Sequence, residues 1–391
     1  MKLTTRIAMQ LLPIALAAGC RDDPGAEFSR AKERFAAQDY DGARIALSAA
    51  LRAEPDNREM LVLLAKAQLR AGDADGAGFA IARAGRAGVP ASRLAPLKAE
   101  LALIEGKPAE ALDHLEAVPA AQSRYVRAEA LRKLGRRGDA IAEFERALAE
   151  GRDIRAATAY ARMLLVANDV SGARRVYRRM REVAPAAYAT RVLEGDIAIA
   201  AKDGDAAINA FAGVVRDFPD RVAPRLALAS QLDVAGDVER AQAELEKAEK
   251  LAPDDPRVID LKIQLLSELG QWREIRDALQ GREADLDPES ATGMSYAEAL
   301  LRLGQAEHAR VLFARAALLM PDNPYAQMML GEAQLATGDA KAAWETLRPL
   351  TTRPDLPPRL LELAIQAARQ VGDPAAASLE AGSRTAKGAP G

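Results

Sequence analysis

Among 391 residues there are one cysteine, Cys20, and two histidines, His114 and His308. Thiolates and imidazoles hold metals and attack carbonyl groups, so their scarcity limits the chemistry at the outset. One cysteine cannot form a disulfide framework, and no His/Cys cluster has metal-ligand spacing. No Gly-x-Ser-x-Gly elbow is present, and no glycine loop of the nucleotide-binding kinds. Acidic pairs are plentiful but scattered over helix surfaces, which gives no support to a glycosidase. These residues predict a non-catalytic chain with no metal and no cofactor.

The charged residues are less even. Between Arg124 and Arg181 fourteen arginines and one lysine face seven acids, against a formal net charge of −2 for the whole chain. One reading is a solvated outer face, on which Arg174, Arg175, Arg178 and Arg179 point outward. The other is an anion-binding belt for acidic polysaccharide, lipid headgroups or an acidic partner peptide. Nucleic acid is a poor fit to the near-neutral total.

Such residues need elements to position them, and Val222–Asp255 displays the pattern. Leu226 and Ala229 lie in a first helix, and Ala235-Gly236-Asp237 makes a turn. Ala241, Leu245, Ala248 and Ala252 then form one apolar stripe of a second helix. Glu239, Arg240, Glu244, Lys247 and Lys250 take the wet face, and Pro253 ends the pattern. Neither stripe is wide enough to stabilise a helix alone.

The small residue opening the second helix recurs at 43, 77, 111, 140, 173, 207, 241, 309, 343 and 377, with Ile275 in the same slot. Eight of the ten steps are 34 residues. A partner recurs in the first helix as Ala31, Ala65, Ala99, Ala128, Ala161, Gly195, Ala229, Ala297 and Gly331. Gly-Asp pairs at 72, 204, 236, 338 and 372 are expected to start second helices, with aspartate near the N-terminus. Only 4% of residues are aromatic, and no run alternates as a strand would.

This period and these positions resemble tetratricopeptide repeats, over roughly residues 24 to 381. The resemblance implies an all-α, right-handed α-solenoid of about ten to eleven helix-turn-helix repeats, stabilised by nearest-neighbour stacking. Residues 28–381 are assigned to it. Near 92–120 it is irregular: Pro96 and Pro108 fall near helix starts, and Pro119 truncates a second helix. Ile263, Ile275 and Trp272 make one repeat degenerate, Trp272 standing in its turn. A last helix over about Pro374–Ala381 caps the array, and 382–391 is expected to be a disordered tail.

In such solenoids the first helices line a concave groove. Carried over by position, this puts Tyr125, Glu129, Arg132, Lys133, Arg155 and Arg162 on its inner wall. Val192, Ile199, Leu226 and Val234 continue it as a more apolar stretch. A groove of that kind suits an acidic and hydrophobic peptide. The family's chaperone-tail clamp is not matched, since its places hold Val62, Lys66, Leu226 and Ser230.

The N-terminus carries a different signal. Lys2 and Arg6 precede a twelve-residue apolar stretch, Ile7–Ala18, that is too short to span a bilayer. Leu16-Ala17-Ala18-Gly19-Cys20 resembles a bacterial lipobox, though its leucine lies one place early. The resemblance implies a signal peptide over 1–19, lipidation of Cys20 and a tether over 20–27. Lipidation also removes Cys20 from any Cys–His pair. Removal of 1–19 leaves a formal charge of −4. Arg21, rather than aspartate, after the cysteine favours an outer-membrane anchor facing the periplasm.

From Cys20 to about Leu115 the chain also resembles the repeat lipoproteins of exosortase and exopolysaccharide systems. The matching features include Ala31-Lys32, Asp39-Tyr40, Pro55-Asp56-Asn57 and Gly72-Asp73. The expected function is therefore a lipid-anchored scaffold binding envelope proteins or peptides in its groove. The alternatives are a module for anionic polysaccharide or lipid, an outer-membrane protein assembly factor, and a cytoplasmic adaptor.

Overall fold

The structure, a computed structural model, describes residues 23–387 apart from 152, 354 and 355. The expected signal peptide, Cys20 and the final residues 388–391 lie outside these. Two compact units divide between Leu193 and Glu194. The first holds α1 (Pro24–Ala36), α2 (Tyr40–Ala53), α3 (Arg58–Ala71), α4 (Ala74–Arg86) and α5 (Ala91–Ile104). It continues with α6 (Pro108–Asp113), α7 (Ala120–Lys133), α8 (Arg137–Glu150), α9 (Ile154–Val166) and α10 (Val170–Val183). The division falls within α11 (Tyr188–Ala200).

The second unit holds α12 (Gly204–Asp217), α13 (Val222–Val234), α14 (Val238–Leu251), α15 (Pro256–Glu268), α16 (Trp272–Leu279) and α17 (Ala291–Arg302). It ends with α18 (Ala306–Leu319), α19 (Pro324–Ala336), α20 (Ala340–Leu347), α21 (Pro358–Val371) and α22 (Ala375–Lys387). Odd-numbered helices are the first members of their pairs and even-numbered ones the second. Within each unit a helix packs on its sequence neighbour, and successive first helices also touch: α3 on α5, α5 on α7, α7 on α9, and likewise from α13 to α21.

The small residues sit where the helices of a pair meet. Ala65 with Ala77, Ala161 with Ala173 and Ala229 with Ala241 are all fully buried. A methyl is the largest group that fits between such close backbones, and the volume beside it is filled by Leu47, Phe144, Phe211 or Phe313. At Gly195 even a methyl is too much: an added Cβ would lie 2.5 Å from the Phe211 ring. Gly331 stands in the same relation to Leu347.

The turns follow a fixed recipe. Gly72, Gly236 and Gly338 adopt φ of +77° to +85°, a region costly for residues with a Cβ. The next aspartate caps the second helix: Asp73 Oδ1 accepts from Gly76 N at 2.9 Å and Asp339 Oδ1 from Ala342 N at 3.0 Å. Gly204-Asp205 departs from the expected role. Lys202 takes the left-handed conformation and Asp203 the cap, so that pair lies inside the first turn of α12.

Several boundaries differ from the sequence reading. The expected tether over 20–27 is shortened, because α1 begins at Pro24 with Asp23 capping Gly25 N at 3.0 Å. Proline at the first helical position lacks a donor the helix would leave unused there. Pro96 lies within α5 rather than near its start. The second helix α6 stops at Asp113, ahead of Pro119, which instead precedes α7. Trp272 opens α16 and packs on the core around Ile263 and Tyr296. The final helix passes Ala381 and reaches Lys387, into the expected tail.

Gly195→Ala should destabilise the protein by about 1–3 kcal/mol through overpacking against Phe211. The urea midpoint measures this, and Gly195→Ala/Phe211→Leu should recover part of the loss. An unchanged midpoint for Gly195→Ala would contradict the packing described.

Candidate functional site

The core claims one stripe of each first helix, and a second stripe remains. Counted from the buried small residue, it comprises the positions six before, three before and one after, which share one helical face. On α3 these are Glu59, Val62, which here the core also buries, and Lys66, and on α5 Arg93, Pro96 and Glu100. On α7 they are Gln122, Tyr125 and Glu129, and on α9 Arg155, Thr158 and Arg162. Because these helices touch in succession, the stripes form a continuous wall within the first unit.

The wall is held together by charge. Glu100 is largely buried and receives Arg70 Nη1 from α3 at 2.5 Å and Arg155 Nη1 from α9 at 3.1 Å. Burial pushes its carboxyl up, but Arg155 and Arg70 outweigh this and hold it below the usual glutamate range. The Arg155 guanidinium also lies 4.6 Å from the centre of the Tyr125 ring. Burial, with Glu129 beside it, raises the Tyr125 hydroxyl. Arg93 grips Glu59 with two bonds of 2.6 Å.

The six expected groove residues therefore divide. Arg155 reaches Glu100 and lies over the Tyr125 ring. Glu129 pairs with Arg132 on their own helix at 2.8 Å. Lys133 donates to the Leu103 carbonyl at 2.9 Å, closing the end of α5. Arg162 is exposed on α9 and has no acid partner among the described residues. Much of the Arg124–Arg181 belt is similarly engaged. Arg124 holds Glu143 and Glu150, Arg146 holds Glu143, Arg136 holds Asp139, and Arg127 donates to the Leu115 and Val118 carbonyls.

In the second unit the corresponding stripe lines a groove of about 760 Å³. Ala223, Leu226 and Ser230 come from α13, and Arg257, Asp260, Gln264 and Glu268 from α15. Thr292 and Ser295 close it from α17. Of the expected apolar wall only Leu226 lines this groove; Ala223, Leu261, Ile263 and Ala291 join it, so that most of the surface is apolar with hydroxyl, amide and carboxylate groups set into it. Val234 and Ile199 are exposed on α13 and α11, and Val192 is half-buried. Further along, Glu332 repeats the arrangement of Glu100: Arg302 and Arg359 each reach its Oε1 at 2.6 Å.

Glu100, Arg70, Asp260 and Glu268 were not picked out from the sequence, although the signal was present. Glu100, Glu332 and Gln264 each follow the small-residue slot directly, and Asp260 precedes it by three. The histidines serve locally. His114 lies 3.5 Å from Glu110, and His308 Nε2 lies 2.8 Å from Glu283 Oε1, whose other oxygen accepts from Tyr296. Among the described residues no group of three or more His, Cys, Asp or Glu could hold a metal, and no helix is long and apolar enough to cross a membrane.

Stacked helix pairs with small residues at most crossings, capped turns and an outward-facing first-helix stripe define an all-α repeat solenoid built to present a surface. Tetratricopeptide repeat models match residues 34–101, 125–189, 198–265 and 324–349. Together these cover more than half of the chain, which belongs to the tetratricopeptide repeat family. Proteins of this fold are in general non-catalytic scaffolds for protein–protein interaction. No curated protein matches the chain in sequence.

Among solved structures, the P58(IPK) TPR domain is 18% identical, covering 90% of this chain and 98% of that one, with a TM-score of 0.28. The Cut9-Hcn1 hetero-tetramer of APC/C is 13% identical, covering 88% and 96%, with a TM-score of 0.45. MamA from Desulfovibrio magneticus RS-1 is 20% identical, covering 43% and 98%, with a TM-score of 0.36. The family assignment rests on the repeat models alone.

The ion pairs can be tested separately. Glu100→Gln should cost about 1–3 kcal/mol at neutral pH, since it takes a charge from two arginines. A carboxyl depressed in the folded state adds stability above its unfolded pKa of about 4.3 and loses it as pH falls through the folded value. Denaturation of the variant should therefore depend less on pH on the acid side than that of the parent. In the charge reversals, Arg155→Glu should lower the urea midpoint by setting a second carboxylate against Glu100. Arg162→Glu should stay within about 0.5 kcal/mol of the parent, as exposed positions do; equal losses for both would refute this division of roles.

Proposed function

We propose that this protein is a non-catalytic scaffold held at the cell envelope, where its first-helix stripes receive extended segments of partner proteins. The carrying observation is the 760 Å³ groove of α13, α15 and α17, whose polar lining side chains are spared by the core. The proposed anchor is lipidated Cys20, three residues ahead of the Asp23 cap, on a membrane facing the periplasm. Stable attachment would use several acyl chains, since one gives only reversible binding. The pathway we favour is exopolysaccharide or cell-surface assembly, in keeping with the resemblance of residues 20–115.

A module for anionic polysaccharide or lipid is the second reading, and it draws on Arg162, Arg174 and Arg178, for which no acid partner exists among the described residues. Cells fed a palmitate analogue should label the parent protein and not Cys20→Ala; an unlabelled parent removes the anchor from the proposal. In-cell crosslinking followed by purification should recover discrete proteins with the parent and lose them with Ser230→Trp, which fills the groove. Recovery of glycan or lipid without stoichiometric protein would overturn the scaffold reading.

A further inference from the structure

The groove of α13, α15 and α17 has a polarity opposite to that of the arginine-rich belt. Asp260 and Glu268 are exposed on its α15 wall, and Asp233 on α13 faces Glu268. Burial and the neighbouring Glu268 together raise the Asp233 carboxyl. Among the described residues no cation pairs with any of the three. Asp260 accepts from the Thr292 hydroxyl at 2.6 Å, and Glu268 from the Gln264 amide at 3.0 Å. The one cation in the lining, Arg257, is bonded to Asp255 through Nη2 at 2.6 Å and Nε at 3.0 Å.

The first-unit wall behaves differently. There nearly every carboxylate on the stripe is matched by an arginine from an adjoining helix or the next turn. Like-charged carboxylates drawn together without a counter-ion repel one another, and a cationic ligand relieves that repulsion. Ser230, Gln264 and Ser295 supply neutral donors and acceptors along the same groove, a lining that suits a peptide main chain. Leu226, Leu261 and Ile263 add apolar contacts.

We propose that this groove binds an extended basic segment of a partner protein, with lysine or arginine side chains pairing with Asp260 and Glu268 along its α15 wall. The assignment rests on the groove being the binding surface, and it adds the sign of the partner's charge. Complementary charge of this kind raises encounter rate and selects among partners, and salt weakens it.

The test uses the full chain and three synthetic peptides of equal length, one lysine-rich, one glutamate-rich and one uncharged, read by fluorescence anisotropy. The lysine-rich peptide should bind, more weakly as salt rises, and the other two should not. Asp260→Asn/Glu268→Gln should reduce that binding about tenfold, which is about 1.4 kcal/mol, with a thermal midpoint no lower than the parent's. The amide introduced by Asp260→Asn keeps a carbonyl oxygen that can accept from Thr292, so folding is not at stake. Tighter binding of the glutamate-rich peptide, no binding of any peptide, or an unaffected double variant would overturn the proposal. Ser230→Trp separates the two levels. If it abolishes partner crosslinking while the double variant does not, the groove stands and its polarity falls. If neither variant changes crosslinking, the groove itself falls.

Discussion

The distance at which two helices can pass one another governs this molecule. At most crossings of a first helix with its partner, the contact is made by alanine or glycine with almost no accessible surface, and the neighbouring volume goes to a single large side chain. Dispersion forces reward such contact only at close range, so the small pair and its filler must occur together. That requirement repeats once per helix pair, which is why the period is so regular. It also decides what remains: a helix that spends one face on its partner and neighbours has one stripe left for solvent. The tight crossing and the binding surface are two results of the same spacing.

Each buried carboxylate on that leftover stripe raises an energetic problem, since a charge removed from water is costly unless it is paired. Glu100 and Glu332 solve it alike, each drawing one arginine from the preceding first helix and another from a later one. Where such arginines are absent, as around Glu268, the side chain stays at the surface. Glu100 and Glu332 are thus both largely buried and paired, whereas Glu268 is neither buried nor, among the described residues, paired with a cation. This separates carboxylates that hold the fold from carboxylates available to a ligand.

Much of the architecture was legible in the sequence because the small residues keep one role and the turns use few residue types. Val222–Asp255 displayed helix, turn and helix with little ambiguity. The exceptions have local physical causes. Lys202 tolerates a left-handed backbone where glycine was expected, so the cap moved one residue before the visible Gly-Asp pair. At Pro24 the ring served a helix start instead of a flexible tether. The candidate site was legible only by position. Tyr125, Glu129, Arg155 and Arg162 share, by their spacing, one stripe of the first helices. Yet Arg155 proves to be committed to Glu100, a partner 55 residues away, and spacing along one helix carries no information about such a partner. Lys133 is likewise taken by a backbone carbonyl, which no side-chain pattern announces.

The pairing of Arg155 with Glu100 also governs how the first unit comes apart. Helical repeats usually unravel from their ends, because each is joined only to the next and openings spread by small steps. Arg155 reaches from α9 past α7 to Glu100 on α5, and Glu100 in turn holds Arg70 on α3. An opening at α3, α5 or α9 must release the buried Glu100 charge from a partner. The stretch from α3 to α9 is therefore tied into one cooperative block, and slow hydrogen exchange in its inner amides would end together rather than helix by helix.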